Sequence, residues 1–93
     1  MSMTQDRAEI VALGALEWLI AEDLMDTFQS STGADRDQIR AAAGDPVFLA
    51  AVMDFIMMSD DWVQGVCAQQ RLSHEMFLAA RAALPGGDIP NWT

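Results

Sequence analysis

The sequence predicts an all-α protein: a compact bundle of five to six short helices around a central, mostly buried one. Strand signals are nearly absent, because Val and Ile are sparse, alternation is not sustained, and Ala, Leu and Met, all good helix formers, dominate. Gly, Pro and capping residues mark the starts and stops of short segments. One run, VFLAAVMDFIMMSDDW from Val47 to Trp62, is apolar on nearly every side yet far too short to cross a bilayer.

The first helix begins near Thr4, with Asp6 and Glu9 in the turns where negative charge opposes the helix dipole favourably. Its apolar residues are Ile10, Leu13, Leu16, Leu19 and Ile20, interrupted by Glu17 and Trp18. Continued to Gln29 it would exceed the usual globular length, so a bend or break is expected near Ala21 to Asp23. A short helix then turns Leu24, Met25 and Phe28 inward and stops at Gly33.

In ADRDQIRAAAG, Asp35 is the N-cap, Gln38 stands where a capping box places it, and Gly44 closes the segment. Asp45-Pro46 starts the next helix, since aspartate accepts from orphan amides and proline at the first helical position has none to satisfy. Stepping about 100° per residue, Phe48, Leu49, Val52, Phe55 and Ile56 form a broad apolar arc. Met53 and Met57 extend it, and Ala50, Ala51 and Asp54 lie opposite. This is the expected central helix.

Ser59 caps the following helix, with Asp60 and Asp61 in its first turn, Met58 and Val63 at the spacing of a hydrophobic staple, and Trp62, Val63, Val66 and Cys67 facing inward. Ser73 caps the last one, with Leu72 and Phe77 at staple spacing, and it ends at Leu84 before Pro85, Gly86 and Gly87. Residues 1–87 are expected to form one domain. Residues 88–93 are left as a tail, disordered unless Trp92 docks.

FQSSTG, then DQIRAAAGDPVFLAAVMDFIMMSDDW, then LSHEMFLAARAALPGG occur in an order that resembles a family of short bacterial proteins, the three-five-seven-two domain-of-unknown-function family. The similarity runs from about Ala8 to Gly87 and is most specific in IRAAAGDPVFLAAVMDFI. Two local departures are Ala21-Glu22-Asp23, where the family often restarts with proline, and Asp61-Trp62, where it more often carries glutamate. The resemblance implies a small all-helical fold. It implies no activity, substrate or catalytic residue.

Composition narrows function further. With 14 acidic residues against 5 basic ones, all arginine, the net charge is −9, and such a surface repels phosphate backbones, so no nucleic-acid partner is expected. Cys67 is the single cysteine, which rules out an internal disulfide. The N-terminus lacks a basic start followed by an apolar run, so a cytoplasmic protein with no membrane partner is expected.

His74, the single histidine, sits at a helix start beside Ser73 and Glu75, and adjacent side chains diverge too far to build a triad. Cys67 reads as a core residue. The carboxylates Glu22, Asp23 and Asp26, and Asp54, Asp60 and Asp61, have no EF-hand spacing and read as helix-start charges, so neither metal nor cofactor is expected. Arg40 is expected to pair with a carboxylate or to receive backbone carbonyls where two helices meet.

Three Trp, four Phe and seven Met are generous for 93 residues. The reading that follows is a non-catalytic interaction module, self-associating or docking a partner helix, with Trp18, Met57 and Trp62 as the candidate interface. The competing reading is an acidic decoy or inhibitor on a basic partner surface. An enzyme would require a deep pocket gathering Arg40, His74 and two carboxylates.

Overall fold

Five of the six helices begin at a residue whose side chain accepts a hydrogen bond from the first turn. Thr4 Oγ1 accepts from the Arg7 N–H at 3.2 Å, Asp45 Oδ1 from Val47 at 2.9 Å, Ser59 Oγ from Trp62 at 3.4 Å, and Ser73 Oγ from Met76 at 3.1 Å. Asp35 and Gln38 form the full capping box, at 2.8 and 2.9 Å. In the computed structural model, which describes residues 3–33 and 35–85, these caps open α1 (Gln5–Ala21), α3 (Arg36–Ala42), α4 (Pro46–Ile56), α5 (Asp60–Gln70) and α6 (His74–Ala83). The exception is α2 (Met25–Thr32), which starts at Leu24 without a side-chain cap. No strand occurs among the described residues, and Trp92 with the tail 88–93 lies outside them.

The break expected near Asp23 is present, and its geometry explains how α1 stops without glycine or proline. Asp23 takes a left-handed conformation at φ 60°. The Asp23 N–H donates to the Ile20 carbonyl at 3.1 Å and the Leu24 N–H to the Leu19 carbonyl at 2.8 Å, the paired bonds of a Schellman turn. Leu24 packs on the core beside buried Leu19, the apolar contact that accompanies such turns. Arg71, at φ 56°, does the same after α5, where the Leu72 N–H reaches the Cys67 carbonyl at 2.9 Å. Gly33 ends α2 at φ 77°, as expected, whereas α3 closes through Ala43 in a right-handed conformation and Gly44 takes no positive φ.

A single buried cluster draws on all six helices. Its hub is α1, which packs against α4, α5 and α6 and buries Ala8, Val11, Ala12, Ala15, Leu16 and Leu19. This corrects the expected face of α1: Leu16 and Leu19 are inside, but Ile10 is 67% exposed, Ile20 59% and Leu13 38%. Three alanines hold the inward positions because several helices converge there, and short side chains let their axes approach. The bulky residues are turned out.

The mostly buried helix is α4, with Leu49, Ala50, Val52, Met53, Phe55 and Ile56 inside. Ala50 is buried rather than opposite the core, and Met57 caps the helix at 39% exposure. Met58, at 72% exposure, does not staple the start of α5. An aromatic chain stiffens the interior: Phe28 meets Phe48 and Phe55 edge-on at centroid distances of 5.9 and 5.1 Å, and Phe55 stacks on Trp62 at 4.9 Å. On the outer side of α4, Asp54 accepts from Arg81 Nε at 2.6 Å and Nη2 at 3.0 Å, while Arg81 Nη1 reaches the Pro85 carbonyl at 3.4 Å. This fork ties α4 to α6 and to the chain leaving it.

Two glycines set the crossing of α1 and α5. A Cβ on Gly65 would run into the Trp18 indole, and one on Gly14 would lie 2.6 Å from Gln70 Nε2, which donates to the Val11 carbonyl at 3.0 Å. The rigid ring cannot yield, whereas the end of the glutamine can. Gly65→Ala is therefore expected to destabilise by about 1–2 kcal/mol, overpacking exceeding the gain in helix propensity. Gly14→Ala should be near neutral, that gain offsetting the disturbed hydrogen bond. Urea unfolding midpoints of the two variants check both.

The left-handed turn after α5 supports a second expectation. Arg71 is exposed and adopts a conformation that glycine takes without steric cost. Arg71→Gly should stabilise by about 1 kcal/mol and raise the thermal midpoint by roughly 4–8 °C, read by far-UV circular dichroism.

Candidate functional site

The helices α1, α2 and α3 do not close on one another completely. Between them lies a half-open cleft of about 410 Å³ lined by Leu16, Ile20, Asp23, Met25, Arg36, Ile39, Arg40 and Ala43. Its floor is apolar because Leu16, Met25 and Ile39 belong to the core and show one side to the opening. Its volume lies within the range of ligand and side-chain pockets, about 300–1,000 Å³.

The polar residues come from two places. Asp23 stands at the turn that ends α1, in its left-handed conformation. Arg36 and Arg40 are one helical turn apart on α3, a helix positioned by its capping box and by the burial of Ile39 between them. Arg36 approaches Asp26 at 3.8 Å with both side chains largely in solvent, a pair worth little. The Arg40 side chain makes no hydrogen bond or ion pair among the described residues, which departs from the carboxylate or carbonyl partner expected for it. Two of the protein's five cations thus stand at one opening in a chain of net charge −9.

The residues singled out from the sequence are distributed differently. Trp18 is half-buried, its indole lying over Gly65. Trp62 is half-buried against Phe55. Both aromatic rings thus have packing partners within the fold. Met57 is more exposed and adjoins exposed Met58 at the corner between α4 and α5. None of the three lines the cleft. Among the cleft residues, sequence reasoning singled out Arg40 but missed the role of Ile20; the signal available was the four-residue spacing of Arg36 and Arg40.

His74 is exposed at the start of α6, and Cys67 is half-buried on α5; neither lines the cleft. The Cys67 thiol lies 3.9 Å from the Ser73 carbonyl, and burial pushes its pKa above the ordinary value. Among the described residues, no three His, Cys, Asp or Glu side chains gather to hold a metal ion, and no helix is long and apolar enough to cross a membrane. What the cleft can do chemically is bury an apolar group while two guanidinium groups receive an anion.

Because the thiolate is the reacting form, a raised pKa leaves less of it at neutral pH. Cys67 should react with a disulfide reagent several-fold more slowly in the folded protein than in urea. Stopped-flow absorbance checks this, and the difference should narrow as the pH approaches the thiol pKa.

No curated protein and no solved structure matches the chain significantly. A family model described as "Protein of unknown function (DUF3572)" matches residues 5–87, taking in all six helices and every residue of the cleft. The chain belongs to this DUF3572 family.

Proposed function

We propose that this protein is a non-catalytic interaction module that seats an apolar side chain of a protein partner in the cleft between α1, α2 and α3. The observation that carries this reading is the cleft itself: an apolar floor with, at its edge, an Arg40 side chain that has no partner among the described residues. An apolar floor edged by exposed cationic groups in one small concave site can serve as an anchor point. Asp23 is the one carboxylate in its lining, with neither histidine nor cysteine beside it to form the nucleophile–base pair that acyl transfer requires.

The Met57–Met58 corner supports a second docking surface on the same module, since adjacent exposed methionines adapt readily to a partner. The two surfaces are separable. Ile20 is 59% exposed at the cleft and Met57 39% exposed at the corner, so a glutamate at either position should leave the helices intact.

The test is affinity capture with immobilised wild-type, Ile20→Glu and Met57→Glu proteins, read by mass spectrometry, together with light scattering for self-association. Retention of a stoichiometric partner or a second copy by the wild type, lost in Ile20→Glu and kept in Met57→Glu, is the expected outcome. The reverse pattern would move the docking surface to the α4–α5 corner. A wild-type protein that binds neither another protein nor itself would sink the interaction reading.

A further inference from the structure

We infer that the cleft and the outer strip of α1 are two halves of one self-complementary surface, through which two copies of this chain pair. The inference rests on the interaction-module reading and names its partner.

The strip and the cleft are continuous. At about 100° per residue, the order around α1 (Gln5–Ala21) from Ile10 is Glu17, Asp6, Leu13, Ile20, Glu9 and then Leu16. Ile20 and Leu16 already line the cleft. The strip therefore consists of three outward apolar side chains, Ile10, Leu13 and Ile20, interleaved with three carboxylates, Glu17, Asp6 and Glu9. It is an acidic amphipathic surface beside an apolar opening edged by arginines.

Each half has the chemistry that the other lacks. Among the described residues, neither the Glu17 nor the Arg40 side chain makes a hydrogen bond or ion pair. Both are exposed. A two-fold contact with its axis near Ile20 lays the α1 strip of one copy over the cleft of the other and does the reverse at the same time, because an isologous interface uses one patch twice. Leu13 then enters the partner's apolar opening, and Glu17 faces the guanidinium of Arg40 across the axis, a charge-assisted pair. An unrelated partner would have to bring its own acidic apolar helix, whereas a second copy already presents one.

The net charge gives the contact an unusual salt response. Two chains of −9 each repel at long range, and raising ionic strength from about 0.02 M to about 0.5 M shortens the Debye length several-fold. Pairs covered by the interface are screened less than the exposed charges around them. Dimer formation should strengthen with added salt.

Analytical ultracentrifugation of the full chain across concentration and at two salt strengths provides the test. The expected species has twice the 10.2 kDa chain mass, favoured by salt. Leu13→Glu and Arg40→Glu should each weaken dimerisation by about tenfold or more, and Ile10→Glu repeats the first test at a still more exposed position. The decisive variant is the charge swap Glu17→Arg with Arg40→Glu: each single change opposes like charges across the axis, and the double change restores the pairing. Circular dichroism confirms that every variant keeps its helices.

A monomeric wild type, or a dimer indifferent to Leu13→Glu and Arg40→Glu, would overturn the inference, as would failure of the double variant to regain the affinity lost by the singles. A monomer that still captures another protein through Ile20 would leave the module reading standing. A monomer that captures nothing would remove both.

Discussion

The arrangement of this protein depends on the small-residue face of α1. Ala8, Ala12 and Ala15 are wholly buried there, and α4, α5 and α6 all pack against the same helix. Larger side chains at those positions would push the neighbouring axes apart. The crossing with α5 takes the same logic further: Gly65 removes its side chain so that the Trp18 ring can lie on the α5 backbone, and Gln70 reaches over Gly14 to the Val11 carbonyl. Close approach, more than bulk, organises the bundle. The bulk is supplied from the other side by Phe28, Phe55, Phe77 and the branched residues of α4.

That constraint explains which features were legible in the sequence. Helix starts were, because a cap is a local event: Thr4, Asp35, Asp45, Ser59 and Ser73 each act on an amide two or three residues away. The break at Asp23 was legible from helix length, although its mechanism, an aspartate in a left-handed turn, was not. The orientation of α1 was misread because transfer free energy ranks Ile and Leu above Ala for burial. Where several helices meet, the available space reverses that ranking. Ile10 and Ile20 lie outside because alanine fits inside and they do not.

The candidate site was legible only in fragments. Arg40 stood out by its place between two capped segments, but the cleft requires residues from Leu16 to Ala43 to be brought together by the turn at Asp23 and the packing of α2. No short-range pattern encodes that. Trp18 and Trp62 were named as candidate interface residues because the Trp, Phe and Met content is generous for a small bundle to bury. Each is half-buried and has a packing partner in the fold, Gly65 for one and Phe55 for the other. The exposed apolar residues were on the page as ordinary core formers, and only the alanine face of α1 reveals them as surplus.

The placement of the arginines joins the fold to the proposed function. Arg81, 15% exposed, is engaged by Asp54 and the Pro85 carbonyl, and Arg71 occupies the left-handed turn after α5. Arg36 and Arg40 stand together at the cleft. In a chain of net charge −9, most of the surface opposes the approach of another acidic molecule, and the repulsion is weakest where two cations are grouped. On the proposed reading, the apolar floor at that opening supplies attraction at contact range and the guanidinium groups favour a carboxylate. On that reading, acidity elsewhere serves specificity, since an acidic apolar strip meets mostly like charge away from the arginines of the cleft. The outer face of α1, which the alanine packing forces outward, has that composition.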